Sequence, residues 1–324
     1  MVVGAGAAGL TAAGRLCDTH EVVVVDKGRG VGGRLATRRI GQASFDHGAQ
    51  FITAHTAEFA QVVGVWEAAG VARPWFRGRV GPNGIIDTDA HIRYRGVNSM
   101  KAVARHLANG LDVRLGVRVT ALVAGEKGWM VCTNSGETIA AEAVILTAPV
   151  PQALDLLSAG AVVLAPHDRE ALEAIRYDSC LAVLAPLQGA SGMTEPGAID
   201  PTSGPIDWIA DNQIKGLSVI PGVTIHATPD FSASHWGEGD DAIVAELLRA
   251  AALGAAPIKG TVQVHRWRYA RPTVIHPERC LLAAGIPALI FAGDAFGGAK
   301  VEGAVLAGQA AAEAITYALG DREP

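Results

Sequence analysis

The sequence predicts an α/β protein: a doubly wound, mostly parallel sheet with an interposed α+β domain built on an antiparallel sheet. Three observations lead there. The first forty residues run strand, glycine-rich turn, helix, strand and acidic residue. Two short apolar runs, 143–148 and 287–292, read as strands buried on both faces of a parallel sheet. Between them, 152–266 changes to helix starts and strand runs parted by Gly and Pro, without repeats, which suits an antiparallel sheet with helices on one side.

Val2 and Val3 are the stub of the first strand, and Gly4, Gly6 and Gly9 follow in Gly-x-Gly-x-x-Gly spacing. Gly4 permits a tight strand-to-helix turn, Gly6 lets the backbone approach a pyrophosphate, and Gly9 lets the helix pack closely on the sheet. Residues 10–17 continue as that helix, with Ala8 at its N-terminal end. Free N–H groups and a partial positive charge there suit a dianion without any lysine. Residues 22–25 give the second strand, and Asp26 ends it where a carboxylate accepts hydrogen bonds from ribose hydroxyls. A glycine pattern alone also arises as an ordinary turn; here strand, glycines, helix, strand and acid agree on a dinucleotide site. Lys27, Arg29, Arg34, Arg38 and Arg39 then crowd together, either as a solvated face or as further phosphate contacts. Gly32, Gly33 and Arg34 suit a loop that passes close to a ligand and fixes one guanidinium on it.

Farther on, Phe59, Val62, Val63, Trp66 and Ala69 recur at helical spacing over 56–70, with the aromatics read as core. Pro74, Gly78, Gly81, Pro82 and Gly84 punctuate strand-like pieces over 73–95, which implies hairpins outside the nucleotide domain. Asn98 or Ser99 would cap a helix over 100–107. Strands over 112–115, 118–123, 128–133 and 138–140 form a meander appended to the nucleotide fold. The run 143–148 stops at Pro149 and Pro151, where the chain crosses to the second domain. Helices are expected there at 152–157, 169–175 and 240–253, and strands at 181–186, 206–210 and 223–227. The strand 287–292 returns to the first sheet, with Gly293-Asp294 at its end and an Ala-rich helix over 303–319. Ligands of an open parallel sheet lie beyond the carboxyl ends of its strands, so Asp294 falls where the first glycine loop also points. The expected division is 1–55, 96–150 and 270–324 for the nucleotide domain and 56–95 with 151–269 for the substrate domain.

Composition narrows the function classes. With 324 residues, 49% of them hydrophobic, the chain can bury one large core or two. Its net charge of −5 gives no overall pull toward nucleic acid or anionic membrane. The longest uncharged apolar run, 280–293, is too short to span a bilayer as a helix and contains Gly285 and Pro287. Val2 already lies in the nucleotide fold, so no cleavable leader and a cytoplasmic location are expected. Cys17, Cys132, Cys180 and Cys280 lack metal or disulfide-scaffold spacing and read as small buried or indifferent residues; no metal is expected.

Several stretches together resemble the renalase family, within the wider flavin amine oxidase superfamily. They are Gly4 to Gly9, Asp26, Gly32-Gly33-Arg34, Asp46-His-Gly-Ala-Gln-Phe-Ile-Thr53, Leu146 to Pro151 and Gly293-Asp294. Tyr94 to Met100, Leu172-Glu-Ala-Ile and His265-Arg-Trp-Arg-Tyr-Ala270 extend the likeness over nearly the whole chain. The nucleotide and Gly-Asp motifs belong to the superfamily, whereas Asp-His-Gly-Ala-Gln and His-Arg-Trp-Arg-Tyr are characteristic of the narrower group. The resemblance implies non-covalent FAD in a fold like p-hydroxybenzoate hydroxylase. Asp26 would bind the adenosine ribose, Arg34 the pyrophosphate, the Val119 backbone the adenine, and Asp294 the ribityl or phosphate oxygens. Gly4, Gly6, Ala8, Gly9, Lys27, Gly33, Ala148 and Gly293 complete the nucleotide contacts it implies. His47, Gly48, Ala49 and Gln50 would lie at the flavin edge, Gly48 permitting close approach. A helix starting near Gly303, with Val301 and Ala304, would point N–H groups at the flavin N1 and C2 carbonyl.

Bacterial members of that family oxidise the 2- and 6-dihydro isomers of NAD(P)H to NAD(P)+ and pass the electrons to O2, releasing hydrogen peroxide. Such chemistry needs positioning, stacking and water exclusion more than a proton shuttle. By this resemblance His226 and Trp267, with His47, line the substrate face: Trp267 as a wall for the nicotinamide, His226 for its carboxamide. Each is also readable as core, a packed aromatic or a satisfied histidine. Lys300 is either a surface lysine or a cation near the reduced flavin. Other readings are a superfamily oxidase for amines or a carbocycle, although no paired tyrosines stand near the C-terminal segment, and a non-catalytic dinucleotide-binding protein.

Overall fold

In the computed structural model the described residues are 1–81, 84–258 and 260–320. Two compact units divide them. Met1–Gly33, Ala104–Arg176 and Pro272–Pro324 form the first, Arg34–Val103 and Tyr177–Arg271 the second. Residues 34–55 and 96–103, expected with the nucleotide fold, therefore cluster with the second unit, and 151–176 with the first. The physical reason is visible in the partners. The hairpin Thr37–Ile40/Ala43–Asp46 sets Phe45 against Gly222 and Asp46 against Lys215, both in the second unit. Helix Val150–Ala159, expected in the second domain, packs on strand Val119–Gly125 of the first.

The first unit holds a six-stranded sheet in the order Leu281–Leu282, Leu289–Phe291, Val144–Leu146, Val2–Val3, Val23–Asp26, Asp112–Leu115. All pairs are parallel except that of the edge strand Leu281–Leu282. Val24, Val25, Val144, Leu289 and Ile290 are wholly buried, as continuous apolar strands covered on both faces must be. Each such side chain contributes roughly 1.5–3 kcal/mol by leaving water. The first strand sits between its sequence successor on one side and the late strands on the other. That reversal of order is where an α/β sheet opens a crevice at its carboxyl ends.

Helix Ala7–Leu16 follows the first strand, and helix Lys300–Leu319 packs on it through small residues. The second of these starts at Lys300, one turn before the expected Gly303. The meander is present as the sheet Val119–Gly125, Gly128–Thr133, Thr138–Ala141.

A five-stranded sheet organises the second unit: Ala198–Ile199, Ile206–Asp211, Gly222–Ala227, Arg176–Pro186, Gln263–Val274. Gly222–Ala227 pairs antiparallel with both Arg176–Pro186 and Ile206–Asp211, and Ile206–Asp211 with Ala198–Ile199. Helices Pro229–Ser234 and Asp240–Ala251 bury Phe231, Ile243 and Leu247 in the same cluster as Leu181, Val183, Val223 and Ile225. Residues 73–95 form one long hairpin, Ala72–Gly81 with Gly84–Gly96. Pro82, an expected turn residue, lies outside the described residues. Helix Ala57–Ala68 buries Phe59, Val63 and Trp66 and is capped by the Thr56 side chain. Asn98 is no helix cap: its φ of 64° makes it a turn residue ahead of helix Lys101–Leu107, because capping residues are extended.

Candidate functional site

In the first unit the glycine turn has two kinds of glycine. A Cβ on Gly9 would stand 2.0 Å from the Gly4 carbonyl oxygen, and one on Gly4, at φ 113°, would stand 2.5 Å from Thr147 Oγ1. These two are required by the fold itself. Gly6 is different, because a Cβ there meets nothing within 4 Å. Open space beside the backbone, at a helix start with no side-chain cap, is the shape a phosphate group fills.

The surrounding residues converge on the same strand ends. Thr147 Oγ1 donates toward the carbonyls of Val3 and Gly4, and Gly293 lies against the Thr147 carbonyl, so Ala148 and Gly293 flank the turn. Gly32 N donates to the Ala5 carbonyl, and Gly33 lies against Gly6. Asp26 accepts from the Ala5 N–H at 2.7 Å and the Gly28 N–H at 2.6 Å, which fixes both carboxylate oxygens at the strand end. Val117 N donates to the Asp26 carbonyl and brings Val119 close behind it. Lys27 donates to Gln152 Oε1. Asp294 is buried, Val301 and Gly303 are buried in the first turn of the last helix, Ala304 is half-buried, and Lys300 is exposed. The turn, Asp26 and the uncapped helix starts fit the phosphates and ribose of an FAD.

In the second unit the His47 peptide is the hub. Its carbonyl oxygen accepts from Trp267 Nε1 at 2.7 Å and from His226 Nε2 at 3.2 Å. The His47 ring stacks on Trp267 with centroids 5.3 Å apart, and His265 meets both edge-on at 4.6 and 4.3 Å. Both N–H groups thus point at this one carbonyl. The reason is that a buried carbonyl without a donor is costly. Gly48 is also explained within the chain, since a Cβ there would stand 2.0 Å from the Arg34 carbonyl. Ala49 N donates to that same carbonyl, and Arg34 Nη1 donates to the carbonyls of Tyr269 and Ala270. Gln50 gives its amide N–H groups to the Asp46 and Gly48 carbonyls. Two buried polar atoms have no partner here, His47 Nδ1 and Gln50 Oε1.

Burial makes all three histidines neutral at pH 7. It pushes His47 down from 6.5 to about 3, with His265, Arg38 and His226 adding to the effect. His265 falls to about 4 through burial and the Arg38 charge. His226 falls to about 4 through burial, opposed by its bond to the His47 carbonyl and helped by Lys215. A neutral His226 that donates through Nε2 carries its lone pair on Nδ1.

One residue of this region, Lys215, gives no clear sequence signal of its role. Lys215 is wholly buried, bonded to Asp46 Oδ2 at 2.9 Å and the Gln50 carbonyl at 2.7 Å, and lies 4.9 Å from the Trp75 ring centroid. Asp46 also accepts from Thr37 Oγ1 and Met100 N. Lys215 sits in an irregular loop, so no periodicity marks it. His265 is different: it shares a strand face with Trp267 by the two-residue alternation and was legible from it. Cys17 is exposed and free, and burial pushes the Cys180 thiol up to about 12. No helix among the described residues is long and apolar enough to cross a membrane.

Comparison with known proteins agrees with this arrangement. Residues 76–316 match the flavin containing amine oxidoreductase family and residues 2–67 the NAD(P)-binding Rossmann-like domain. Renalase of Mus musculus is 26% identical over 327 residues, covering 94% of this chain and 95% of the relative. Among solved structures, a putative protoporphyrinogen oxidase from Exiguobacterium sp. 255-15 superposes with TM-score 0.71 at 13% identity, covering 98% of each chain. Putrescine oxidase bound to putrescine superposes with TM-score 0.69 at 16% identity, again covering 98% of each. Those two share the fold. The family match and the renalase relative, over a fold with an uncapped glycine turn, make the chain a renalase-like member of the flavin containing amine oxidoreductase family, an FAD-dependent oxidoreductase.

Proposed function

We propose that the protein is an oxidase that takes hydride from the 2- and 6-dihydro isomers of NAD(P)H, returns NAD(P)+ and passes the electrons to O2 as hydrogen peroxide. Bound FAD supplies the hydride acceptor and the route of the electrons to oxygen. The observation that carries the substrate class is the sign of the charge around the ring cluster. The charged groups acting on His47, His265 and His226 are Arg38 and Lys215, both cations, and the adjacent Asp46 is neutralised by Lys215. A protonated amine meets like charge there, whereas a dinucleotide bearing phosphates is attracted.

The roles follow from the geometry. Trp267, locked by its bond to the His47 carbonyl and stacked on the His47 ring, is a rigid wall for a planar nicotinamide. His226 offers Nδ1 as an acceptor for the carboxamide N–H. Three neutral imidazoles leave no charged base at pH 7, and none is needed, because the dihydropyridine nitrogen lone pair expels the hydride. His47 Nδ1 and Gln50 Oε1, buried without partners within the chain, are available to the polar edge of a bound ligand. The glycine turn holds the pyrophosphate, Asp26 the ribose and Asp294 the ribityl or phosphate oxygens. The second unit binds the substrate, and four free cysteines suit a reducing cytoplasm.

An aerobic assay tests the reading. Each isomer should yield NAD(P)+ and peroxide in equal amounts, with ordinary NADH and a panel of amines giving neither at comparable rates. Peroxide from amines alone would overturn it.

A further inference from the structure

The long hairpin of the second unit places Arg73 directly opposite Arg95 on paired strands. Like charges in that position repel and weaken the sheet. Arg95 is also buried, at 7% exposure, and its Nη1 has no hydrogen-bond partner. A buried guanidinium left unpaired is among the costliest arrangements a fold can carry. Among the described residues, neither arginine is recorded in an ion pair with a carboxylate.

Both guanidinium tips converge on the Gly216 backbone. A Cβ at Gly216 would stand 2.8 Å from Arg95 Nη2 and 3.3 Å from Arg73 Nη2. Gly216 adopts φ 76°, and its missing side chain is what lets both guanidinium groups come this close to one point. Arg93, two residues before Arg95 on the same strand, lies over the Phe51 and Phe76 rings, which leaves the Arg73–Arg95 pair as a separate feature. The arginine pair is tied to the ring cluster through one frame. Gly216 follows Lys215, whose ammonium is bonded to Asp46, the residue before His47.

We propose that Arg73 and Arg95, converging beside Gly216, form an anion subsite for a phosphate group, and that its occupant is the pyrophosphate of the dihydronicotinamide dinucleotide. The second half of this statement rests on the substrate reading above; the first does not. Two guanidinium groups meeting at one point suit a phosphate better than a carboxylate, because a tetrahedral dianion accepts from both planes at once and balances both charges. The subsite also separates the dinucleotide from smaller dihydropyridines, which would reach the ring cluster without touching either arginine.

Two measurements on the FAD-loaded protein decide it. In the first, inorganic pyrophosphate is titrated calorimetrically into wild type, Arg95→Met and Arg73→Ala. Wild type should bind, and each variant should bind about tenfold more weakly or worse, the loss expected for a charge-assisted contact. No binding to wild type, or unchanged binding in both variants, overturns the subsite. Arg73 is exposed, so its variant keeps the test alive if Arg95→Met does not fold. In the second, KM is compared for a dinucleotide isomer and the corresponding dihydronicotinamide riboside, which lacks phosphate. The variants should raise KM about tenfold for the dinucleotide and leave the riboside unchanged. Weakened pyrophosphate binding with equal effects on both substrates assigns the subsite to free phosphate compounds and overturns the dinucleotide assignment. If no isomer is oxidised, the substrate reading falls by itself, and the pyrophosphate titration still judges the arginine pair.

Discussion

Replacing Lys215 with Met should destabilise the protein far more than an ordinary lysine substitution. Both members of the Lys215–Asp46 pair have side chains 1% exposed, with Nζ 2.9 Å from Oδ2 and 2.7 Å from the Gln50 carbonyl. Met fills a similar volume but leaves the Asp46 carboxylate buried without its counter-ion and the Gln50 carbonyl without a donor. Asp46 keeps only Thr37 Oγ1 and Met100 N as donors. Breaking a buried pair from one side costs about 3–5 kcal/mol. Urea unfolding at fixed excess FAD measures the loss, since a bound cofactor adds equally to both proteins if its site is untouched. Adding Asp46→Asn to Lys215→Met removes the stranded charge while keeping an acceptor for Thr37 and Met100. The double variant should therefore be more stable than Lys215→Met alone. A loss under about 1 kcal/mol, the scale of a surface pair, would refute the reasoning. So would a double variant whose losses simply add.

Four further outcomes follow. Gly6→Ala should leave the stability of the FAD-free protein within about 0.5 kcal/mol, because its Cβ meets nothing, yet weaken FAD binding by tenfold or more, read by flavin fluorescence on titration. Gly9→Ala should instead lower the melting temperature of the FAD-free protein, because its Cβ collides with the Gly4 carbonyl. Trp267→Ala should retain FAD but slow reduction by the isomers about tenfold, since the wall held on the His47 carbonyl is lost; an unchanged rate would leave Trp267 as packing. For pH, the three histidines have folded values below the unfolded 6.5, so the unfolded chain binds protons first on acidification. Stability should be full above about pH 6.5 and fall toward pH 4, by up to about 1.4 kcal/mol per pH unit for each ring, less for the partly exposed His265. Urea midpoints across that range check the sign.

What the sequence made legible was what depends on neighbours along the chain. The glycine turn, Asp26 and the buried runs around 145 and 290 are local patterns, and the parallel sheet forms from them. The domain division was harder, because it depends on contacts far apart in sequence. Residues 34–55 follow the nucleotide motif without a break, yet Asp46 is bound by Lys215, and that bond sets the segment in the second unit. The site shows the same split. His47, His226 and Trp267 were named from motif likeness, and the structure gathers all three. The N–H groups of His226 and Trp267 turn inward to the His47 carbonyl, which side-chain identity does not reveal. Gly48 looked like a ligand-approach glycine, but its missing Cβ is accounted for by the Arg34 carbonyl. Lys215 lacks periodicity or motif spacing, and Arg95 stands in a motif that says nothing of its pairing with Arg73; only tertiary structure makes a lysine and an arginine buried.

The central claim is that the flavin accepts hydride from dihydronicotinamide isomers. Anaerobic mixing of the FAD-loaded protein with the 2- and 6-dihydro isomers, ordinary NADH and a panel of amines, followed by flavin absorbance, tests it directly. Rapid bleaching by the isomers, with NADH and the amines slow or silent, is the result predicted. Bleaching by amines while the isomers leave the flavin oxidised would contradict it.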